Sequence, residues 1–436
     1  MSSKPLLIRG GHLVDPRNQR DEVVDVFLSD GKVKEIGKAL HPGTGVEVYD
    51  ATGKIVTPGL IDMHVHLREP GQEEKETIAT GTAAAAMGGF TAVACMPNTE
   101  PALDNVSQIQ FVLMKARSEG HVRVYPVGAI TKAQEGKELT EIGAMFRAGC
   151  VALSDDGHPV SNSNLFRRAL EYAHTFGIPV IDHCEDADLF KGGVMNEGEL
   201  SSRLGLKGIP RQAEYIVVAR NIALCELTQA HIHLTHLSTR ESIALVREAK
   251  KRGLPITADT CPHYFTLTED AVSGYNTLAK MNPPLRMESD RLAIIEGLLD
   301  GTLDTIASDH APHTFAQKSR EFSVAPFGII GLETTVGLLF TEMIQKNGMS
   351  ITAAIRSLTE APAKALNLPG GHLSVGALAD VTVIDPKLRW DVKDFVSKSR
   401  NSPFVGRSLT GKATLTIVDG HVVMRDGHLI KNSQVN

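Results

Sequence analysis

LIDMHVHLREPG, residues 60–71, opens as an apolar run of strand character, carries two histidines near its end, and passes into a charged loop that closes on Pro-Gly. Four other stretches repeat the design: VALSDDG (151–157), VIDHCED (180–186), IHLTHLS (232–238) and TIASDHAPH (305–313). Each ends a β-like run on His or Asp. A single such residue is uninformative, because a satisfied structural histidine or a helix-capping aspartate is the commoner cause. Five of them, each at the end of an apolar run, point to one rim of a parallel barrel collecting ligands around a metal centre.

Working outward, apolar runs recur near 60–67, 91–97, 123–130, 150–155, 179–183, 231–237, 255–260 and 304–308. Segments rich in Ala, Leu, Glu and Lys lie between most of them, as at 74–88, 105–120, 164–177 and 239–253. Eight β-runs separated by helical crossovers suit an α/β fold of the (β/α)8 TIM type, a barrel of ~250 residues or more. A doubly wound open sheet is the competing architecture, but no glycine-rich dinucleotide turn follows the first run. The two ends read differently. DVFLSDGKVKEIG (25–37) is a hairpin pattern around Asp30-Gly31, and 412–430 carries Asp419-Gly420 and Asp426-Gly427 in the same style. Residues 1–59 and 369–436 are therefore expected to form one small β-sandwich-like domain from both termini, with the barrel spanning 60–368.

Bulk properties narrow the function. The chain has 436 residues, 42% hydrophobic and 22% charged, with a formal net charge of −6. That balance gives no basic face for nucleic acid. The N-terminal MSSKPLLIRGG has no long apolar core of a signal peptide, and no run of about 18 uncharged apolar residues suggests a membrane span. A cytoplasmic protein is expected. The five cysteines are widely spaced without a CxxC, as for free thiols in a reducing compartment acting as small buried hydrophobes.

His64 and His66 sit two apart on a strand and so face the same way. His183, His236 and Asp309 end later runs. In Ser154-Asp155-Asp156-Gly157 only one carboxylate can point inward, and alternation does not choose between Asp155 and Asp156. A carboxylate can bridge two cations, whereas histidine cannot. The inventory thus reads as a two-metal site, with His64, His66 and Asp309 on one ion, His183 and His236 on the other, and an aspartate between. Nitrogen and oxygen donors without thiolate fit zinc, with manganese and cobalt as alternatives. A hydroxide held by two cations is a nucleophile at neutral pH. Asp309 can receive its proton and pass it to a leaving nitrogen. The reaction class is hydrolysis, or the reverse condensation, at an amide-like carbon.

HVHLREPG, MPNTEP (96–101), SDDG, DHCED, HLS, KMNPPLR (280–286), SDHAPH (308–313) and APFGIIGLET (325–334) together resemble the dihydroorotase family of the amidohydrolase superfamily, in its bacterial class I type. The likeness covers nearly the whole chain. It implies reversible cyclisation of N-carbamoyl-L-aspartate to (S)-dihydroorotate and water, in pyrimidine biosynthesis, with two zinc ions. It implies that Asp156, rather than Asp155, bridges them, and that Asp309 is the catalytic residue. It implies substrate contacts from His66, from Arg68, Asn98 and His313 on a carboxylate, from Asn282 on the ring, and from the Phe327-Gly328 backbone. It further implies a homodimer and association with aspartate transcarbamoylase. A salt bridge to Glu69 is the competing role for Arg68, and a plain turn for Asn98. Many superfamily members bridge their metals with a carboxylated lysine on the fourth strand, but VALSDDGHPV has no lysine.

Two rivals follow: another cyclic amidohydrolase of hydantoinase or allantoinase type, and a non-catalytic scaffold for aspartate transcarbamoylase. The missing lysine and the Arg68, Asn98 and His313 set argue against the first, and the complete ligand set against the second. Among the remaining histidines, His263 is expected to shape the pocket, and His231 and His233 to be structural. His174 is expected at the surface or in packing, and His158 and His310 at most to support neighbouring ligands. The polar loop 313–326, with Lys318, Arg320 and Glu321, is either a lid or an ordinary rim loop.

Overall fold

Every apolar run expected between residues 60 and 308 becomes a strand. The computed structural model describes residues 4–430; the outermost residues of the two terminal segments, 1–3 and 431–436, lie outside it. The barrel strands are β1 (Leu60–Val65), β2 (Phe90–Cys95), β3 (Arg123–Gly128), β4 (Ala152–Leu153), β5 (Val180–His183), β6 (Ile232–Thr235), β7 (Ile256–Thr260) and β8 (Thr305–Ile306). They pair in sequence order in one eight-stranded sheet, and every pairing is parallel. Between β8 and β1 the ring is drawn together by a bridge from Val65 to His310.

Helices α1 (Ile78–Gly88), α2 (Val106–Glu119), α3 (Ile142–Arg147), α4 (Ser163–Thr175), α5 (Gln212–Thr228), α6 (Arg240–Lys251) and α7 (Glu288–Leu299) fill the crossovers. Their starts are written in the sequence. Thr77, Asn105, Asn162 and Thr239 each accept a backbone N–H of the first turn of α1, α2, α4 and α6. Because helices cover the outside, the strands are apolar on both faces and read as continuous runs.

The barrel interior is a separate packed layer. Ile61, Met63, Ala92, Ala94, Val127, Ala152, Ile181 and Ala307 form one cluster, while Leu60, Val65, Val93, Val180 and Ile232 belong to the core under the helices. On β1 this alternation changes phase. Ile61 and Met63 face inward, yet Val65 faces out. The β1–β2 ladder shifts register between Asp62 and Val65. Such an irregularity re-aims side chains, and here it turns both His64 and His66 into the barrel mouth.

The terminal strands form a separate nine-stranded sheet. Leu6–Asp15 pairs with Arg20–Ser29 and with Ile55–Pro58, and Ile55–Pro58 pairs with Val381–Asp391, so both ends of the chain meet in one sheet. The three Asp-Gly turns have left-handed backbone at both residues, with φ of 53° and 70° at 30–31, 50° and 77° at 419–420, and 47° and 80° at 426–427. That geometry matches the twist of a tight hairpin. Thr382 and Thr416 donate to the carbonyls of Gly89 and Ala86, tying this sheet to the end of α1. All five cysteines are buried and unpaired. Among the described residues, no helix is long and apolar enough to cross a membrane.

Candidate active site

The strand ends place His64 and His66 past the middle of β1, Asn98 beyond β2, Asp156 beyond β4, His183 at the end of β5, His236 one residue after β6 and Asp309 shortly after β8. Parallel pairing puts His183 opposite Thr235, so His236 lies one step beyond it. These side chains meet in the mouth of the barrel. His64 Nε2 is 3.4 Å from Asp156 Oδ1 and 3.6 Å from Asp309 Oδ1. His66 Nε2 is 3.1 Å from Asp309 Oδ1 and 3.6 Å from Asp156 Oδ2. His236 Nε2 is 3.6 Å from Asp156 Oδ1 and 2.9 Å from His183 Nδ1.

Three features mark this as a cation site. The ligand atoms of His64, His66 and Asp309, and again those of His64, Asp156 and His236, lie within 4.8 Å of one another. His64 Nε2, Asp156 Oδ1 and His236 Nδ1 are buried without a hydrogen-bond partner, which is costly unless something binds them. The set is imidazole and carboxylate, as a divalent transition metal prefers. His64 thus lies within reach of both donor groups. His183 reaches the cluster through Nδ1, while its Nε2 faces Glu185 Oε2 at 3.4 Å and Asn282 Nδ2 at 3.3 Å.

The aspartate left open by alternation is Asp156. Asp155 turns away and accepts the N–H groups of Ile130 (2.8 Å) and Thr131 (3.1 Å) and the Thr131 hydroxyl. Burial alone would raise the Asp156 pKa, but His64 first, then His236 and His66, hold it well below the usual carboxylate range. Asp309 is likewise held ionised against burial, by the His66 hydrogen bond and the nearby His64. Burial disfavours charge on His64, yet Asp156 and then Asp309 lift its pKa to about 9. Burial, reinforced by Arg68, keeps His66 neutral.

Thr235 and Asp259, which sequence reasoning missed, help to hold the rings. Thr235 Oγ1 lies 2.9 Å from His64 Nδ1 and donates to Asp259 Oδ2 at 3.0 Å, so it accepts from Nδ1 and leaves Nε2 for a ligand. Asp259 also takes the His233 ring (2.7 Å) and the His236 backbone N–H (2.5 Å). Its signal was an acid inside the apolar run ITADT, which must find partners when buried. Asn98 Oδ1 lies 2.8 Å from His66 Nδ1, and its Nδ2 donates towards Asp156 Oδ2 at 3.3 Å. It therefore orients His66, and it is more than a turn residue.

The opposite wall carries positive charge. Arg68 is buried, donates from Nε to the Pro312 carbonyl at 3.2 Å, and has no carboxylate partner among the described residues. Glu69, the competing partner, instead accepts the Ile78 N–H at 2.8 Å. Burial pulls the Arg68 pKa to about 10, so it stays charged at neutral pH. His313 Nε2 lies 2.7 Å from the Phe327 carbonyl. The Gly328 N–H donates to Lys280 O, and its carbonyl accepts from Asn401 and Lys318. Gly328 is thus engaged within the protein at both polar groups. Arg68, His236 and Asp309 have φ of 60°, 40° and 45°, a left-handed backbone that is strained for non-glycine residues and here falls on three residues of one cavity. Together these groups line a cavity of about 360 Å³, with Phe190 and Phe327 on its rim.

Other candidates fall outside it. His310 is buried against Glu76 (3.3 Å) and accepts the Gly331 N–H, while His158 and His174 are exposed. His233 and His231 both meet Thr257. His263 lies near Cys261 and Asp309, but burial lowers its pKa to about 4 and holds the Cys261 thiol protonated. His263, expected to shape the pocket, is not among the residues that line the cavity. Lys318, read as part of a polar rim loop, is instead buried.

The dihydro-orotase-like family pattern matches residues 53–242, and an amidohydrolase family pattern matches 332–424. A dihydroorotase of Pelotomaculum thermopropionicum is 54% identical over 97% of this chain and 99% of its own. One of Endomicrobium trichonymphae is 52% identical over 96% and 99%. In fold, the chain resembles the L-hydantoinase of Arthrobacter aurescens, with TM-score 0.89, 23% identity and coverage of 100% and 98%. The D-hydantoinase of a Thermus species gives TM-score 0.84 at 26% identity, covering 98% and 97%. With about half of its positions shared across nearly the full length of these relatives, the chain belongs to the dihydroorotase family.

Proposed function

We propose that the protein interconverts N-carbamoyl-L-aspartate with (S)-dihydroorotate and water, as a metal-dependent cyclic amidohydrolase of pyrimidine biosynthesis. One observation carries this reading: a buried Arg68, with no carboxylate partner among the described residues, lines the same cavity of about 360 Å³ as the His/Asp cluster. A guanidinium fork suits a carboxylate, and dihydroorotate carries a carboxylate on the same ring as the amide to be opened.

We read the donor set as holding two zinc ions, with His64, His66 and Asp309 about one, His183 and His236 about the other, and Asp156 between. When bound, such cations would polarise a carbonyl and bring the pKa of water towards ~7. The chain's own groups do the rest. Arg68, with Asn98 and His313, holds the substrate carboxylate, and Asn282 and the Phe327–Gly328 turn set the ring plane. Asp309, ionised at neutral pH, accepts a proton from water at a carboxylate oxygen as that water adds to the ring amide carbon. The C–N bond then breaks and the proton passes to the departing nitrogen. Phe190 and Phe327, their rings 5.8 Å apart, shield the mouth from bulk water. The family reading extends to a homodimer, an association with aspartate transcarbamoylase and a cytoplasmic location.

The test compares dihydroorotate with dihydrouracil, the same ring without its carboxylate, on protein of measured metal content. We expect turnover of dihydroorotate, cyclisation of carbamoyl-aspartate, and turnover of dihydrouracil lower by two orders of magnitude or more. Equal turnover of the two rings would return the protein to the hydantoinase type.

A further inference from the structure

The wall behind Phe327 holds two lysines that the mechanism above does not use. Lys280 and Lys318 are each at most 3% exposed, and among the described residues neither has an acidic partner. Burying an ammonium without a counter-charge is expensive, so a neutral side chain would be expected unless the charge has a use. Both are satisfied by backbone carbonyls. Lys318 Nζ donates to Pro326 O (2.9 Å), Gly328 O (3.0 Å) and Lys280 O (3.2 Å). Lys280 Nζ donates to Phe322 O (2.6 Å) and lies 4.6 Å from the centre of the Phe327 ring.

The three acceptors of Lys318 belong to two segments far apart in sequence. Residue 280 leads directly to Asn282, and 326–328 is the turn that carries Phe327. One ammonium therefore staples together the two stretches that set the ring-binding face. Lys318 follows His313 by five residues, in a short helix whose cap Thr314 and whose end, held by Thr277, are both fixed. Lys318 thus anchors the middle of the loop 313–326.

We propose that Lys318 is a positioning residue for substrate: its ammonium fixes the Asn282 segment against the Phe327–Gly328 turn, and its charge adds to that of Arg68 in drawing a carboxylate-bearing ring into the cavity. The inference rests on the dihydroorotase reading. It places no part of the proton transfer on Lys318, so the cost of losing it should appear in binding and not in turnover.

The experiment measures kcat, KM and metal content for the full-length wild type, Lys318→Met and Lys318→Arg with dihydroorotate. We expect Lys318→Met to raise KM at least tenfold, with kcat within threefold and metal content unchanged, and Lys318→Arg to recover most of the loss. If Lys318→Met does not fold, Lys318→Gln, which keeps a donor without the charge, should show the same split. An unchanged KM in a folded charge-free variant overturns the proposal, as does a fall confined to kcat. An inactive wild type with full metal content would sink the dihydroorotase reading itself, and this inference with it.

Discussion

On one side of the barrel mouth, electron-pair donors crowd together: His64, His66, Asp156, His183, His236 and Asp309, several of their atoms buried and unpartnered. On the other side, Arg68, Lys280 and Lys318 bring positive charge, and backbone carbonyls rather than carboxylates satisfy them. The first side is built to hold a cation and the second to hold an anion. The donor side stands at or just beyond strand ends, where the sheet holds the backbone that carries each ligand. The cationic side stands on loops, and each cation doubles as the fastener that makes its loop rigid. A barrel rim can thus host two opposite electrostatic tasks around one cavity, because different structural means fix the two sides.

The donor side breaks most sharply at Asp309. Replacing it with Asn removes the one carboxylate read as carrying a proton while keeping its shape. We expect turnover to fall by about three orders of magnitude, in the middle of the range that general acid–base catalysis supplies. Metal content should survive in part, since His64 and His66 remain. Assay of dihydroorotate hydrolysis beside metal analysis checks it, and turnover like the wild type's would remove Asp309 from the mechanism.

The same contrast explains what the sequence could tell. All eight barrel strands were legible because a doubly covered parallel strand is a continuous apolar run with turn residues at its ends. The donor side was legible for a related reason: side-chain ligands stand at the ends of those runs. The choice between Asp155 and Asp156 was not, because β4 ends at Leu153 and alternation no longer applies beyond it. The phase change in β1 was equally silent. His64 and His66 were expected on one face, which holds, but a register shift that no residue announces is what aims that face inward. The cationic wall was legible only at Arg68. Lys318 looked like an ordinary rim charge, since nothing local reveals that carbonyls of residues 280, 326 and 328 will gather around it.

A smaller break targets the support of the donor side. Asp259 joins the His236 backbone, His233 and Thr235, and Thr235 in turn orients His64. Replacing Asp259 with Asn keeps the volume but offers an amide where three donors converge. Loss of such outer support usually costs roughly 10–100-fold in metal affinity or activity. Titration of the metal-free protein with zinc measures it. Unchanged affinity would mean that packing alone holds both rings, and that the donor side is more rigid than its hydrogen bonds imply.

The smallest effect probes the cationic wall through its proton balance. Burial, and then the neighbouring Lys280, pull the Lys318 pKa down to about 7, and burial brings Lys280 to about 8. In the unfolded chain both keep their protons up to the ordinary lysine value near 10.5. Between these limits the unfolded state binds more protons, so the folded state gains stability as pH rises. The cost of the buried charge is complete below pH 7 and fades towards pH 10.5. Lys318→Met removes one such group. The wild type should therefore gain on this variant between pH 7 and 10, with a slope of at most about 1.4 kcal/mol per pH unit. Denaturant unfolding at pH 7, 8.5 and 10 reads the difference. A flat difference would mean that three carbonyl dipoles hold the ammonium as firmly as water does. The wall would then stay cationic across the whole range, and the contrast with the donor side would hold at every working pH.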